Sequence, residues 1–155
     1  MLLKGNEGTE FELKVIGYQF PHLEKEEYDS DWLSIQLRVV HPRGIWTSID
    51  PSLLTWEVSS LAEWLESISR GESVDEEESF LEPNLSFQLT GNGTKKLRVY
   101  FELESRPKWA SYDGSSMEDL WLEFELDPVQ LNDAAASLRE ALQRYPVRVG
   151  FRVNV

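Results

Sequence analysis

The segment Leu97-Arg98-Val99-Tyr100-Phe101-Glu102-Leu103 places an apolar residue at every second position. A backbone with that period presents one buried and one wetted face, as a half-buried strand does. The alternation recurs in Phe11, Leu13 and Val15, in Leu33, Ile35, Leu37 and Val39, in Leu85, Phe87 and Leu89, in Leu120, Leu122, Phe124 and Leu126, and in Val147, Val149, Phe151 and Val153. Strands that are apolar on one side only need cover for that side, so this pattern demands layers. Pro42-Arg43-Gly44 and Gly91-Asn92-Gly93 supply turns, and Ile45–Ile49 reads as the return strand of the first hairpin. Hairpin succession predicts a largely antiparallel sheet of about seven strands.

Two segments switch to helical spacing. Val58, Leu61, Leu65 and Ile68 form a stripe, with Thr55 as the expected N-cap, Glu57 in the first turn and Gly71 as the stop. Asp127-Pro128-x-Gln130 announces a second helix, with Asp as cap and Pro at the first helical position. Leu131, Ala134, Ala135, Leu138 and Leu142 give its buried face, and Pro146 ends it. Residues 72–79 (ESVDEEES) and 105–116 read as loops. The expected class is α+β, with two helices on one face or end of the sheet. The 155 residues suffice for a sizeable core, and without repeat or linker the expectation is a single domain over residues 1–155.

The formal charge is −13, from 28 acids against 15 bases. A nucleic-acid partner needs a basic footprint, and an anionic membrane surface repels this chain for the same reason. A basic protein is the charge-complementary partner, although surplus carboxylates also serve plain solubility. There is no cysteine, no signal-like amino-terminal run and no apolar stretch near the ~20 residues of a membrane helix. These features lead to the expectation of a cytoplasmic location.

The run Glu24-Lys25-Glu26-Glu27-Tyr28-Asp29-Ser30-Asp31-Trp32 packs five carboxylates into nine residues. Asp29 and Asp31 fit a hard cation in kind, but a calcium loop counted from Asp29 would need glycine where Ser34 stands and Glu where Val40 stands. The two histidines, His22 and His41, adjoin prolines in turns and make no zinc-ligand spacing. No nucleophile elbow, phosphate loop or dinucleotide fingerprint occurs. The expectation is therefore no catalytic residue, no metal and no cofactor. A carboxylate-pair hydrolase using acids such as Glu57, Glu82 and Glu102 stays open as an alternative. So does a ligand- or carbohydrate-binding module that uses tryptophans as a platform. Trp46, Trp56, Trp64, Trp32 and Trp121 fall where core or layer-spanning residues are expected. Trp109 lies in the loop Ser105-Arg106-Pro107-Lys108-Trp109-Ala110 and suits an interface anchor.

Several segments taken in order carry a resemblance. They are GYQFP (Gly17–Pro21), EYDSDWL (Glu27–Leu33), DPSLLTWEVSSLAEWLESI (Asp50–Ile68), EPNLSFQL (Glu82–Leu89), LRVYFELESRPKWA (Leu97–Ala110) and YPVR (Tyr145–Arg148). Together they resemble the WapI-like bacterial immunity proteins of polymorphic toxin systems. The resemblance implies a non-enzymatic antidote that binds the C-terminal domain of a cognate toxin, with a tRNA-cleaving nuclease as the implied toxin type. It brings no established site residues. The expected partner contacts are Glu24, Glu26, Glu27, Tyr28, Asp29 and Asp31 on an exposed loop, with Trp109 as an added anchor. The run Glu72, Asp75, Glu76, Glu77 and Glu78 is a rival patch, and the two runs hold ten of the 28 acids.

Overall fold

A computed structural model of the chain describes residues 1–23, 29–107 and 121–149. The described residues form eight strands and two α-helices, in the order β1 (Leu2–Lys4), β2 (Glu10–Tyr18), β3 (Trp32–His41), β4 (Gly44–Leu54), α1 (Thr55–Ser69), β5 (Glu77–Ser79), β6 (Leu85–Thr90), β7 (Lys96–Phe101), β8 (Trp121–Glu125) and α2 (Pro128–Arg144). They build two four-stranded sheets, β1-β2-β3-β4 and β5-β6-β7-β8, in which each strand pairs antiparallel with its sequence neighbour. The α+β class and the antiparallel pairing follow the alternation in the sequence.

The period-2 residues point inward as their pattern requires. Phe11, Leu13, Leu33, Ile35, Leu37, Val39 and Trp46 from the first sheet join Leu85, Phe87, Leu97, Val99, Phe101, Leu122 and Phe124 from the second in one apolar cluster. Phe11 sits where the sheets meet, its ring 6.0 Å from Phe87 and 5.8 Å from Phe101. Trp46 packs on Phe101 at 5.5 Å and donates its Nε1–H to the Ser105 carbonyl. The helices add Val58, Leu61, Ala62, Leu65, Leu131, Ala134, Ala135 and Leu138 to the same cluster. Burying each of these large side chains stabilises the fold by about 1.5–3 kcal/mol.

Three local expectations are corrected, and one strand is added to them. The addition is β1, whose three residues are too few to show a period. Glu77–Ser79, read as solvated loop, pairs with β6 through its backbone and leaves Glu77 and Ser79 exposed. Acidity describes side chains, while strand pairing uses only main-chain groups. Val147–Val149, read as the start of a last strand, takes no strand conformation; the N–H groups of Arg148 and Val149 donate to the Asp31 carboxylate. Residues 150–155 lie outside the described part. Thr55 is the first residue of α1 and Leu54 its cap. The Thr55 hydroxyl donates to Asp31, and Glu57 reaches back to accept from the Leu54 N–H at 2.9 Å. Asp127 caps α2 as expected, accepting from the N–H groups of Val129 and Gln130.

Candidate functional site

Antiparallel pairing brings the end of β2, the start of β3 and the end of β4 to one end of the first sheet. On β3, Leu33 opposes Leu53 and Ile35 opposes Asp50, so β4 carries one extra residue at Pro51-Ser52. That bulge lies on an edge strand, the place where a proline is tolerated, and it re-aims the side chains beside it. A cleft of about 460 Å³ opens there. Gln19, Phe20, Asp29, Trp32, Asp50 and Pro51 line it from the first sheet, and Glu82, Asn84 and Glu104 from the second.

Each wall has a local cause. Asp29 opens a 3-10 turn (Asp29–Asp31) directly before Trp32 and β3. Glu104 lies in a second 3-10 turn (Leu103–Ser105) that follows β7. Asn84, only 4% exposed, holds this turn in place. Its Nδ2 donates to Glu104 at 3.1 Å, and its carbonyl accepts the Glu102 N–H at 3.0 Å. Leu81 and Leu103, neighbours in sequence of Glu82 and Glu104, are 65% and 55% exposed. Leu103 adopts φ 50°, a left-handed conformation rare for a residue with a bulky side chain.

Four carboxylates, two aromatic rings and no lysine or arginine make up the described lining. Carboxylates accept charge-assisted hydrogen bonds from a guanidinium or an ammonium, and ring faces attract the same cations. The arrangement therefore suits cationic side chains entering from outside. Exposed leucines beside it add apolar contact of the kind that anchors an interface.

The structure separates the expected contact residues. Asp29 is exposed and lines the cleft. Asp31 is a correction: it is fully buried, and its carboxylate accepts from the Thr55 hydroxyl at 2.7 Å, the Arg148 N–H at 2.8 Å and the Val149 N–H at 2.9 Å. A D-x-D spacing in a 3-10 turn turns one carboxylate outward and the other in. Glu24, Glu26, Glu27, Tyr28 and Trp109 lie outside the described residues. In the rival run, Glu72 pairs with Arg70, Glu76 with Lys95, and Glu78 accepts from Ser60.

The acids considered for hydrolysis go to different places. Glu82 lines the cleft, Glu102 pairs with Arg106, and Glu57 is buried at the start of α1. Burial pushes the Glu57 carboxyl above its ordinary 4.5, against the opposing pull of the Leu54 and Leu81 N–H groups that it accepts. Among the described residues no group of three or more His, Cys, Asp or Glu is placed to hold a metal. No described helix is long and apolar enough to cross a membrane. Sequence reading missed Asp50, Asn84 and Glu104 as parts of one site. Asp50-Pro51 inside an alternating run was the available signal, since proline in a strand marks an edge or a bulge.

The Immunity protein WapI-like family matches residues 1–146. No curated protein matches the chain.

Proposed function

The chain belongs to the Immunity protein WapI-like family, and on that premise we propose that it neutralises a cognate toxin protein by stoichiometric binding, with the acidic cleft as its docking face. The partner is a basic surface on the toxin's C-terminal domain, and the chain supplies no reacting group. The family match over residues 1–146 carries the toxin-neutralising role. The cleft supports the finer reading, because its four carboxylates and two rings suit arginine and lysine side chains.

A nuclease is the proposed toxin type. An enzyme that cleaves RNA must attract a polyanion, so its active face is basic. An immunity protein of net charge −13 can occupy that face in place of the phosphate chain. Long-range attraction then steers encounter, toward about 10⁸–10⁹ M⁻¹s⁻¹ at low salt. Fast capture suits an antidote working in the cytoplasm of the cell that makes the toxin.

The test is binding and protection with the C-terminal domain of a candidate cognate toxin. Asp50→Asn combined with Glu82→Gln is expected to slow association at least severalfold, to flatten its salt dependence and to weaken protection of cells expressing the toxin domain. Unchanged association and salt dependence in that double variant would remove the cleft as the docking face. Absence of any complex with the wild-type chain would remove the toxin-binding reading itself.

A further inference from the structure

The chain that follows α2 grips two of the three segments that line the first-sheet side of the cleft. The Arg148 guanidinium donates from Nη1 to the carbonyls of Phe20 at 3.1 Å and Leu23 at 2.8 Å, and from Nη2 to that of Pro21 at 3.2 Å. Its Cζ lies 3.5 Å from the centroid of the Tyr18 ring. The Tyr18 hydroxyl donates to the Pro146 carbonyl at 2.6 Å, and the Tyr145 ring meets Tyr18 edge-on at 5.5 Å. The Arg148 and Val149 N–H groups close on Asp31, the last residue of the turn that begins with Asp29. One short strap thus holds Phe20 through its carbonyl and Asp29 through its turn, and both line the cleft. Residues 147–149 lie beyond the part of the chain that the family matches, residues 1–146.

We infer that Arg148 is a positioning residue for partner binding: it fixes the Phe20–Leu23 turn so that the cleft is already shaped before the partner arrives. This rests on the proposed use of the cleft as docking face. The chemistry singles out arginine. Three backbone carbonyls and one ring face need a planar cation with several donors, which a guanidinium offers and a lysine ammonium does not. A turn left free would have to be ordered on binding, and that ordering is subtracted from affinity.

Charge and positioning make opposite predictions. Arg148 carries positive charge near a site read as taking a basic partner. Through the field alone, removing it would strengthen attraction and speed association. If it positions the turn, removing it weakens the complex.

The experiment uses Arg148→Ala and Arg148→Lys in the full chain, with Asp50→Asn/Glu82→Gln as the cleft control. Hydrogen exchange of the free protein at residues 18–23 is measured beside binding kinetics with the toxin's C-terminal domain. Arg148→Ala is expected to speed exchange at 18–23 and to weaken binding about five- to tenfold, mainly through faster dissociation. Arg148→Lys keeps the charge and the backbone bonds to Asp31, yet most of the loss should persist. It also serves as the test should Arg148→Ala fail to fold. Unchanged exchange at 18–23, or binding that is equal or tighter, overturns the inference. If the cleft control weakens binding while both Arg148 variants bind normally, the strap falls and the docking face stands. If the cleft control also binds normally, the docking face falls and the inference falls with it.

Discussion

Asp31 and Thr55 stand 24 positions apart, and the Thr55 hydroxyl donates to the Asp31 carboxylate at 2.7 Å in a fully buried contact. The bond ties the start of β3 to the start of α1. Two more donors, the Arg148 and Val149 N–H groups, converge on the same carboxylate. A buried donor left without an acceptor costs about 1–3 kcal/mol. Asp31→Ala strands the buried Thr55 hydroxyl and two half-buried N–H groups and is expected to lower stability by about 2–4 kcal/mol, with partial relaxation and solvent limiting the sum. Thr55→Val removes a single donor and should cost about 1 kcal/mol. The double variant should lose less than the two singles added, because they share one bond. Urea titrations of the four proteins at a common pH measure the cycle. Strict additivity would mean that the contact carries no coupling.

Phe11 joins the two sheets, with ring contacts to Phe87 and Phe101 on the other side. Phe11→Ala is expected to destabilise by about 3–5 kcal/mol, from lost transfer energy and the cavity left behind. The effect should reach both sheets equally. Trp32 on β3 reports on the first sheet and Trp121 on β8 on the second, so single-tryptophan variants follow each sheet during unfolding. Transitions that shift together support a shared core, whereas a shift confined to Trp32 would show that the sheets come apart separately.

Much of this fold is legible in sequence because a strand apolar on one side must bury that side. Phe11, Leu37, Val99 and Phe124 announce their direction by spacing alone, and the burial follows. Asp127-Pro128 is equally direct, since its cap depends on neighbouring residues only. The cleft is not local in this sense. Asp50, Glu82 and Glu104 meet because two sheets stack and a bulge sits at Pro51-Ser52, neither of which is written in spacing. Asp31 misleads for the same reason. An acid in an acidic run reads as exposed, and its partners are Thr55 and residues 148–149, far along the chain.

Glu57 sets a pH dependence of one sign. Burial raises its folded pKa above the ordinary 4.5, so the folded state binds this proton more tightly than the unfolded state does. Its contribution to stability is fully present below 4.5 and is lost as pH rises through the raised folded value. Glu57→Gln abolishes that titration. Its single carbonyl oxygen can serve at most one of the Leu54 and Leu81 N–H groups at full strength, while the loss of the buried charge works the other way, so the pH trend and not the gap at pH 7 is the readout. The stability gap between wild type and variant should widen as pH falls from 7 toward 4.5. A constant gap across that range would contradict the raised value.

Glu66 and Arg139 give the opposite sign and join the two helices. Arg139 donates from Nε to Glu66 Oε1 at 3.1 Å and from Nη2 to Oε2 at 3.0 Å, while Nη1 holds the Ser59 hydroxyl at 3.0 Å. The hydrogen-bonded guanidinium, with its charge, holds the Glu66 carboxyl below its ordinary 4.5 despite the cost of burial. A depressed folded value contributes stability that is present above 4.5 and is lost as pH falls through the folded pKa. The side chains are 25% and 39% exposed, so solvent screening limits the pair to about 1 kcal/mol even with two-pronged geometry. Glu66→Gln should therefore cost about that much at pH 7 and progressively less below pH 4.5. Arg139→Lys, which cannot span both carboxylate oxygens and Ser59, should recover less than half of what Arg139→Ala loses. Chemical denaturation at pH 7 and again below the ordinary carboxyl range separates this pair from Glu57. The Glu66 gap must shrink on acidification while the Glu57 gap grows, and equal trends for the two would mean that one of the shifts has the wrong sign.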